Sequence, residues 1–278
     1  MISNTFENSI PAQILYFSHG GGPLPLLNDP SHEAMNTFMR ELPNQLHRPE
    51  CIIVFSAHWE EKVVTLQGNA TPKLLFDYYG FPDETYHLKY PAVNSLSLVE
   101  DITQLFTKAN IPFALHQERG YDHGVFIPMM MMYPTADIPI LQISLLSSLD
   151  SNEHILLGKA LRPLLDRNIL FIGSGFSFHN LRAFRFNSNK EKDPLNDVFQ
   201  DFLKSSLCSD ISEEDRKNQL INWEDAPNAR YCHPREEHLL PLHICYGLAG
   251  SRAQCIFDDD IAGKRALAFL WSKKNQHR

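Results

Sequence analysis

Short runs of apolar, β-branched and aromatic residues recur along the chain, and each has the length of a buried β-strand. They cover residues 14–17, 51–55, 63–66, 138–145 and 169–172. Runs of this kind, bounded by turn-forming residues, are typical of strands that are buried on both faces of a sheet. The pattern therefore predicts at least five strands.

Between several of these runs, apolar residues recur every three or four positions, which is the period of a helix. One such segment begins after Asn94 or Ser95, a second after Asn152, and a third spans 194–207. Strands that alternate with helices need crossover connections, so we expect an α/β fold with a mostly parallel central sheet and helices on both faces. The absence of internal repeats favours a single catalytic domain over 1–278.

Composition and charge narrow the class of protein. The chain has 25 Lys and Arg against 33 Asp and Glu, a formal charge of −8, and no basic cluster mixed with aromatics, so we expect no nucleic-acid partner. No apolar run approaches the roughly 20 residues that cross a bilayer, and no secretory or transit segment is visible, so we expect a soluble, cytoplasmic protein with no membrane contact. Five cysteines without a CxxC pair favour reduced, mostly structural thiols.

The unusual feature of the composition is its 13 histidines. Three of the predicted strands run directly into a turn that carries a histidine: His19, His58 and His179. In open parallel sheets, ligands bind outside the carboxyl ends of the strands, so residues far apart in sequence can meet there. Together these histidines indicate a single site, although a lone histidine at a strand end is more often a structural residue.

Two further segments carry residues that could join this site. The segment RGYDHGVF places His123 in a loop between glycines. The segment YCHPREEHLLPLH offers His233, Glu236, Glu237 and His238 at the start of an apolar helix or turn. The other histidines lie on segments where solvated or packing roles are expected.

Three smaller patterns have structural interpretations. The glycines at 20–22 lack the spacing of a dinucleotide-binding loop and predict a sharp turn or a close approach of the backbone to a ligand. The methionines at 129–132 are expected in the core on a helix. The acidic residues at 258–260 are expected in a solvated turn.

Histidines in this number and arrangement point to metal chemistry. Neutral imidazole suits zinc, iron or copper, and three histidines with an open coordination position describe a catalytic metal site. A further histidine outside the coordination sphere could move protons to and from a bound substrate. His179 and His123 are the candidates for that work.

Five motifs, FSHGGGP, VFSAHW, GYDHG, SGFSFHNLR and HPREEHLLPL, resemble in the same order those of the class III extradiol ring-cleavage dioxygenases, and most of all the 4,5-DOPA dioxygenase branch. The resemblance covers about residues 13–247. It implies that His19, His58 and His238 hold the metal. It also implies that His179 is an acid/base or a fourth ligand, and that His123 lies close to the substrate.

The resemblance implies cleavage of a DOPA-like catechol by O2 at one iron(II) ion per chain. Many class III enzymes complete the iron site with a carboxylate, whereas the matching position here is His238, with Glu236 and Glu237 just before it. Three histidines would suit zinc at least as well. Two alternative functions therefore stay open: a zinc-dependent hydrolase on the same scaffold, or a metal-binding protein without catalysis.

The first motif also reads HGGGP where the branch usually has HGSP, a change that could alter the substrate pocket.

Overall fold

The computed structural model of the protein describes residues 11–184 and 192–272. The strands in these residues are β1 (Gln13–Ser18), β2 (Cys51–Glu61), β3 (Val64–Gln67), β4 (Phe113–His116), β5 (Ile140–Leu146), β6 (Ile169–Gly175), β7 (Gln254–Ile261) and β8 (Lys264–Trp271). The helices are α1 (Glu33–Glu41), α2 (Leu96–Lys108), α3 (His123–Met132), α4 (Ser151–Ala160), α5 (Pro194–Cys208), α6 (Glu213–Ile221), α7 (Ala229–Cys232) and α8 (Leu240–Ala249).

All of the described strands join one sheet, in the order β4-β3-β5-β2-β6-β1-β8-β7. The four adjacent strands β5, β2, β6 and β1 run parallel, as does the pair of β3 and β4. The pairs β3 with β5, β1 with β8 and β7 with β8 are antiparallel. The prediction of a mostly parallel sheet is confirmed, and each of the five predicted strands is present.

Helices cover both faces of the sheet, as predicted. A β-carbon added at Gly173 in β6 would meet the Pro241 carbonyl of α8, whereas the side chain of the next residue, Ser174, donates a hydrogen bond to the Gly124 carbonyl of α3. Successive side chains of a strand point to opposite faces. Helices α8 and α3 therefore pack on opposite sides of β6.

Some local predictions are corrected by the structure. Residues 258–260 lie in β7, paired with β8, and not in a turn, although Asp258 and Asp259 are exposed to solvent as expected. Asp258 forms ion pairs with Arg265 and Lys204. The cap of α4 is Asp150, whose side chain accepts the Glu153 backbone N–H, and not Asn152. Strands β4, β7 and β8 were not predicted.

The predictions for the third helix and for the methionine run hold within the described residues. The helix predicted over 194–207 is α5, and the methionine run lies on α3 with Met129, Met131 and Met132 buried. The five cysteines are free. None of the described helices combines the length and the apolar character needed to cross a bilayer. Most of the polar stretch at 187–193 lies outside the described residues.

The variant Gly175→Ala is expected to destabilise the protein. A β-carbon there would lie 2.1 Å from the His238 carbonyl oxygen, so β6 or the turn before α8 would have to shift. Overpacking of this kind costs roughly 1–3 kcal/mol, and each kcal/mol lowers the Tm of a chain of this size by about 2–4 °C. Thermal unfolding followed by circular dichroism measures the change.

A matched control for this variant is Gly68→Ala. The three atoms nearest to its β-carbon would all belong to the flexible side chain of Gln117, and we expect the Tm to stay within about 2 °C of wild type. Equal Tm values for Gly175→Ala and wild type would contradict the close contact between β6 and the turn that carries His238.

Candidate metal centre

Three histidines that are far apart in the sequence converge in the structure. The ring centres of His19 and His58 lie 4.9 Å apart, those of His58 and His238 4.9 Å apart, and those of His19 and His238 5.3 Å apart. The Nε2 atoms of His19 and His58 are separated by 2.9 Å. These are the three residues for which the family resemblance implies metal ligation.

His19 directly follows the last residue of β1, and its backbone N–H donates to the Gly175 carbonyl at 3.0 Å. Its Nδ1 lies 3.0 Å from the hydroxyl oxygen of Ser174. Because that hydroxyl donates its one proton to the Gly124 carbonyl, it accepts from the Nδ1–H of His19. Nε2 of His19 is therefore unprotonated and faces His58 with its lone pair.

His58 lies inside β2, so the prediction of a turn at this position is wrong. Strand β2 continues to Glu61 because Glu60 and Glu61 pair again with β5 after an irregularity that follows Phe55. Irregular pairing of this kind often re-aims a side chain at a functional site. The His58 carbonyl also accepts a hydrogen bond from the guanidinium of Arg119 at 2.9 Å.

A buried ion pair supports the segment that carries His58. Asp122, whose side chain is fully buried, lies 3.0 Å from the guanidinium of Arg119. It also accepts hydrogen bonds from the Ser56 hydroxyl, at 2.6 Å, and from the Gln142 amide. A buried carboxylate that is satisfied in this way holds its partners in fixed positions. The network ties β2 to the start of α3.

His238 lies in the turn before α8, and its surroundings also select one tautomer. Its Nδ1 lies 2.9 Å from Oε1 of Glu237, so the Nδ1–H donates to this carboxylate and Nε2 is left unprotonated. The His238 carbonyl accepts hydrogen bonds from the Tyr16 hydroxyl at 3.1 Å and from the Phe176 N–H at 3.0 Å. Backbone and ring are therefore both fixed.

Burial keeps these three imidazoles neutral. It lowers the pKa of His19, His58 and His238 well below the usual value for histidine, and neighbouring histidines lower it further. A neutral imidazole with an unprotonated nitrogen is the form that binds a transition metal. The three side chains thus present metal-binding nitrogens at neutral pH.

His123 is the first residue of α3, which corrects its predicted place in a loop. Its Nδ1 lies 2.8 Å from Oδ1 of Asp77, and its backbone N–H donates to the same oxygen at 3.1 Å. Its ring centre is 3.9 Å from that of His58 and 5.3 Å from that of His19. His19, His58 and His123 each offer a nitrogen within 4.8 Å of the others, so this triad could also hold a metal.

His179 lies four residues beyond the end of β6, and its ring stacks on that of His238. The ring centres are 3.3 Å apart and the planes differ by 18°. Nδ1 of His179 lies 3.1 Å from Oε1 of Glu237, the oxygen that also accepts from His238. Burial alone would raise the pKa of Glu237, but the hydrogen bond and charge of His179, together with Arg235, hold it below the usual range. His179, Glu237 and His238 form a second group with metal-binding geometry.

Only part of the HPREEH motif reaches the centre. His233 is buried elsewhere, where its Nε2 donates to a backbone carbonyl at 2.9 Å, and Glu236 pairs with Arg230. Glu237 and His238 remain as the members of the motif that lie beside the other histidines. Two supporting residues, Asp77 and Ser174, were not predicted from the sequence.

The sequence from residue 15 to 261 matches the family model described as the catalytic LigB subunit of aromatic ring-opening dioxygenase. This chain belongs to the LigB family. The membership in the extradiol dioxygenases that the five motifs indicated is confirmed. The protein is an aromatic ring-opening dioxygenase.

Relatives of this LigB protein agree with the assignment. Dioxygenase tasH of Hapsidospora irregularis is 37% identical over 94% of this chain and 85% of its own length. The 4,5-DOPA dioxygenase extradiol of Beta vulgaris is 33% identical over 87% of this chain and 88% of its own. The crystal structure of an uncharacterized protein from Escherichia coli K12, 28% identical, superposes with a TM-score of 0.76 over 95% of this chain and 100% of that one.

The donor set of the LigB protein fits a divalent transition metal. His19 and His238 each have Nδ1 committed to a hydrogen-bond acceptor, an arrangement that orients metal-binding histidines and raises their basicity. All five predicted site histidines line one cavity of about 730 Å³. The site could therefore hold a metal at a place that a small molecule can reach.

The glycine run forms one wall of this cavity. Gly20 has φ +85° and Gly22 has φ +54°, backbone angles that residues other than glycine rarely adopt. The predicted sharp turn is therefore confirmed. The N–H of Gly21 donates to Nε2 of the buried His32 at 3.1 Å. Because glycine has no side chain, the turn brings backbone atoms directly to the edge of the site.

Proposed function

We propose that this LigB protein is an extradiol dioxygenase that opens a catechol-type, DOPA-like ring with O2 at a mononuclear iron(II) centre, one ion per chain. His19, His58 and His238 are the proposed ligands. The observation that carries the proposal is that these three neutral imidazoles converge in the wall of one large cavity. The chain belongs to a family of ring-opening dioxygenases, which gives this cavity its proposed role. The relatives named as 4,5-DOPA dioxygenases support a catechol as substrate.

The proposed reaction breaks the ring bond beside the two hydroxyls, and both atoms of O2 end in a muconic semialdehyde type of product. When bound, iron(II) would offer adjacent open coordination positions to the catechol and O2, and the electrons that reduce O2 would come from the catechol. The protein contributes the rest. Ser174 and Glu237 keep the Nδ1 protons of His19 and His238 in place, so the Nε2 atoms stay available.

His179 is the proposed acid/base. Since its Nδ1 is held by Glu237, its Nε2 is the atom that would take a proton from a catechol hydroxyl and later return it. A role for His179 as a fourth ligand is the alternative, because the ring lies against that of His238. His123, whose Nδ1–H donates to Asp77, is proposed to sit beside the substrate with its Nε2 free to accept a hydrogen bond from a catechol hydroxyl.

Metal identity is tested by loading. Three imidazoles suit zinc as well as iron, and zinc has no redox chemistry with which to activate O2. Metal-free protein loaded anaerobically with iron(II) is expected to consume O2 and form a yellow product with a catechol, whereas zinc-loaded protein is expected to do neither. Ester or amide hydrolysis by the zinc form, with no O2 uptake by the iron form, would favour the hydrolase instead.

The variant Ser174→Ala is expected to weaken metal binding without abolishing it. It removes the acceptor for the Nδ1–H of His19, and changes of this kind cost roughly 10–100-fold in metal affinity. Competition titration of the metal-free protein with a chelator measures the affinity. The exposed Ser205→Ala is the control and should match wild type, and an unchanged affinity in Ser174→Ala would count against the proposed role of this hydrogen bond.

A further inference from the structure

Apart from the histidines, many of the side chains that line the cavity are apolar, and one of them is largely exposed. Leu24, Phe81, Phe176 and Phe184 lie in the cavity wall. Tyr79 lines the same cavity and is 90% exposed, the highest exposure of any large hydrophobic residue in the described part of the chain. Exposed apolar surface that continues a pocket is typical of a place where a ligand binds.

The size of the cavity also bears on the substrate. Its volume of about 730 Å³ is far more than a single unsubstituted ring would fill. Pockets of roughly 300–1,000 Å³ are those that bury drug-sized ligands. The space beside the histidines therefore suits a catechol with a bulky substituent.

In the part of the chain that the structure describes, the charged side chains that line the cavity are already paired. Arg235 is the one lysine or arginine among the described lining residues, and its two terminal nitrogens each lie 2.6 Å from a carboxylate oxygen of Glu60. A third contact, at 3.3 Å, reaches Glu237. A bidentate carboxylate occupies the fork of an arginine. A carboxylate on the substrate would have to displace Glu60 and would also face Glu237.

We propose that the site prefers a catechol whose substituent is bulky, uncharged and apolar over the amino-acid catechol DOPA. This inference rests on the ring-opening function proposed above and specifies its substrate class. The histidine end of the cavity receives the two hydroxyls. The wall that contains Tyr79 and Phe81 receives the substituent, which gains from leaving water.

The direct test compares substrates with the iron-loaded full-length protein. The kcat/KM values of 4-methylcatechol, 4-tert-butylcatechol, 4-phenylcatechol and DOPA are measured by O2 uptake. The bulky neutral catechols are expected to exceed DOPA by about tenfold or more. A kcat/KM for DOPA equal to or above theirs would overturn this inference and leave the proposed function intact. Failure to open any of the four would instead overturn the proposed function.

The apolar wall is tested by Tyr79→Ser. The ratio of kcat/KM for 4-phenylcatechol to that for 4-methylcatechol is expected to fall by roughly tenfold, because apolar contact area is lost. A ratio within one sample does not depend on its iron content. Leu156→Ser on α4 is the control, since Leu156 is 48% exposed and does not line the cavity, and it should keep the wild-type ratio. An unchanged ratio in Tyr79→Ser would contradict the proposed wall.

The charge argument is tested by Glu60→Gln. This change frees the fork of Arg235, so kcat/KM for the carboxylate-bearing 3,4-dihydroxyphenylacetate is expected to rise several-fold relative to 4-methylcatechol. If the ratio stays at the wild-type value, the pairing of Arg235 with Glu60 does not exclude anionic substrates, and that part of the inference fails.

Discussion

Iron content and ring-opening activity are both expected to be lost when His19 or His58 is replaced by alanine. The Nε2 atoms of His19 and His58 face each other at 2.9 Å. Each variant removes one of the three proposed ligands, so that only His238 and the other histidine of this pair remain. We expect affinity for iron(II) to fall by more than the roughly 10–100-fold that changes around a ligand cause, and activity to fall to background. Elemental analysis after anaerobic loading and desalting, together with O2 uptake, measures both quantities.

The control for these variants is His87→Ala. The side chain of His87 is 73% exposed, and it contacts Asp83 on the surface. This variant should keep the iron content and activity of wild type. Circular dichroism should show that all three variants keep the helix and strand content of the fold. Wild-type iron content in either His19→Ala or His58→Ala would remove that residue from the proposed ligand set.

Turnover is expected to fall much further than metal content when His179 is replaced by glutamine. Glutamine can still donate to Glu237 in place of Nδ1, but it has no group that exchanges a proton as an imidazole does. Loss of an acid/base typically lowers kcat by about 10²–10⁴-fold. We expect at least partial iron retention and a KM that changes less than kcat.

Metal content separates the two roles of His179. If the variant loses its iron completely, as His19→Ala is expected to, His179 is a fourth ligand and the assignment as acid/base fails. If it retains iron and also retains wild-type kcat, neither role is correct. Iron content and kcat together therefore show whether His179, which stacks on His238, transfers protons or belongs to the coordination sphere.

The central strands could be predicted because they are buried on both faces. Strands β1, β2, β5 and β6 are continuous apolar runs, and the structure places them side by side. Strand β4 was missed because its four residues are half-exposed or exposed. Strand β7 was missed because residues 258–260 are acidic, and the ion pair of Asp258 with Arg265 of β8 becomes visible only when the hairpin is formed.

The convergence of the site histidines could be predicted for a different reason. His19 follows a recognisable strand, and the carboxyl ends of parallel strands share one edge of the sheet. The residues that hold the histidines carry no such signal. Asp77 is 46 positions from His123, and Ser174 is 155 positions from His19, so these hydrogen bonds depend on tertiary structure alone. The irregularity in β2 that places His58 inside a strand is equally invisible in the sequence.

The most direct test of the account is a crystal structure of the iron-loaded protein with anomalous data collected at the iron edge. We predict one anomalous peak per chain, within about 2.0–2.3 Å of a ring nitrogen of each of His19, His58 and His238. A peak bound only by His179 and Glu237, or no peak near the three histidines in a protein that elemental analysis shows to be loaded, would contradict the proposed centre.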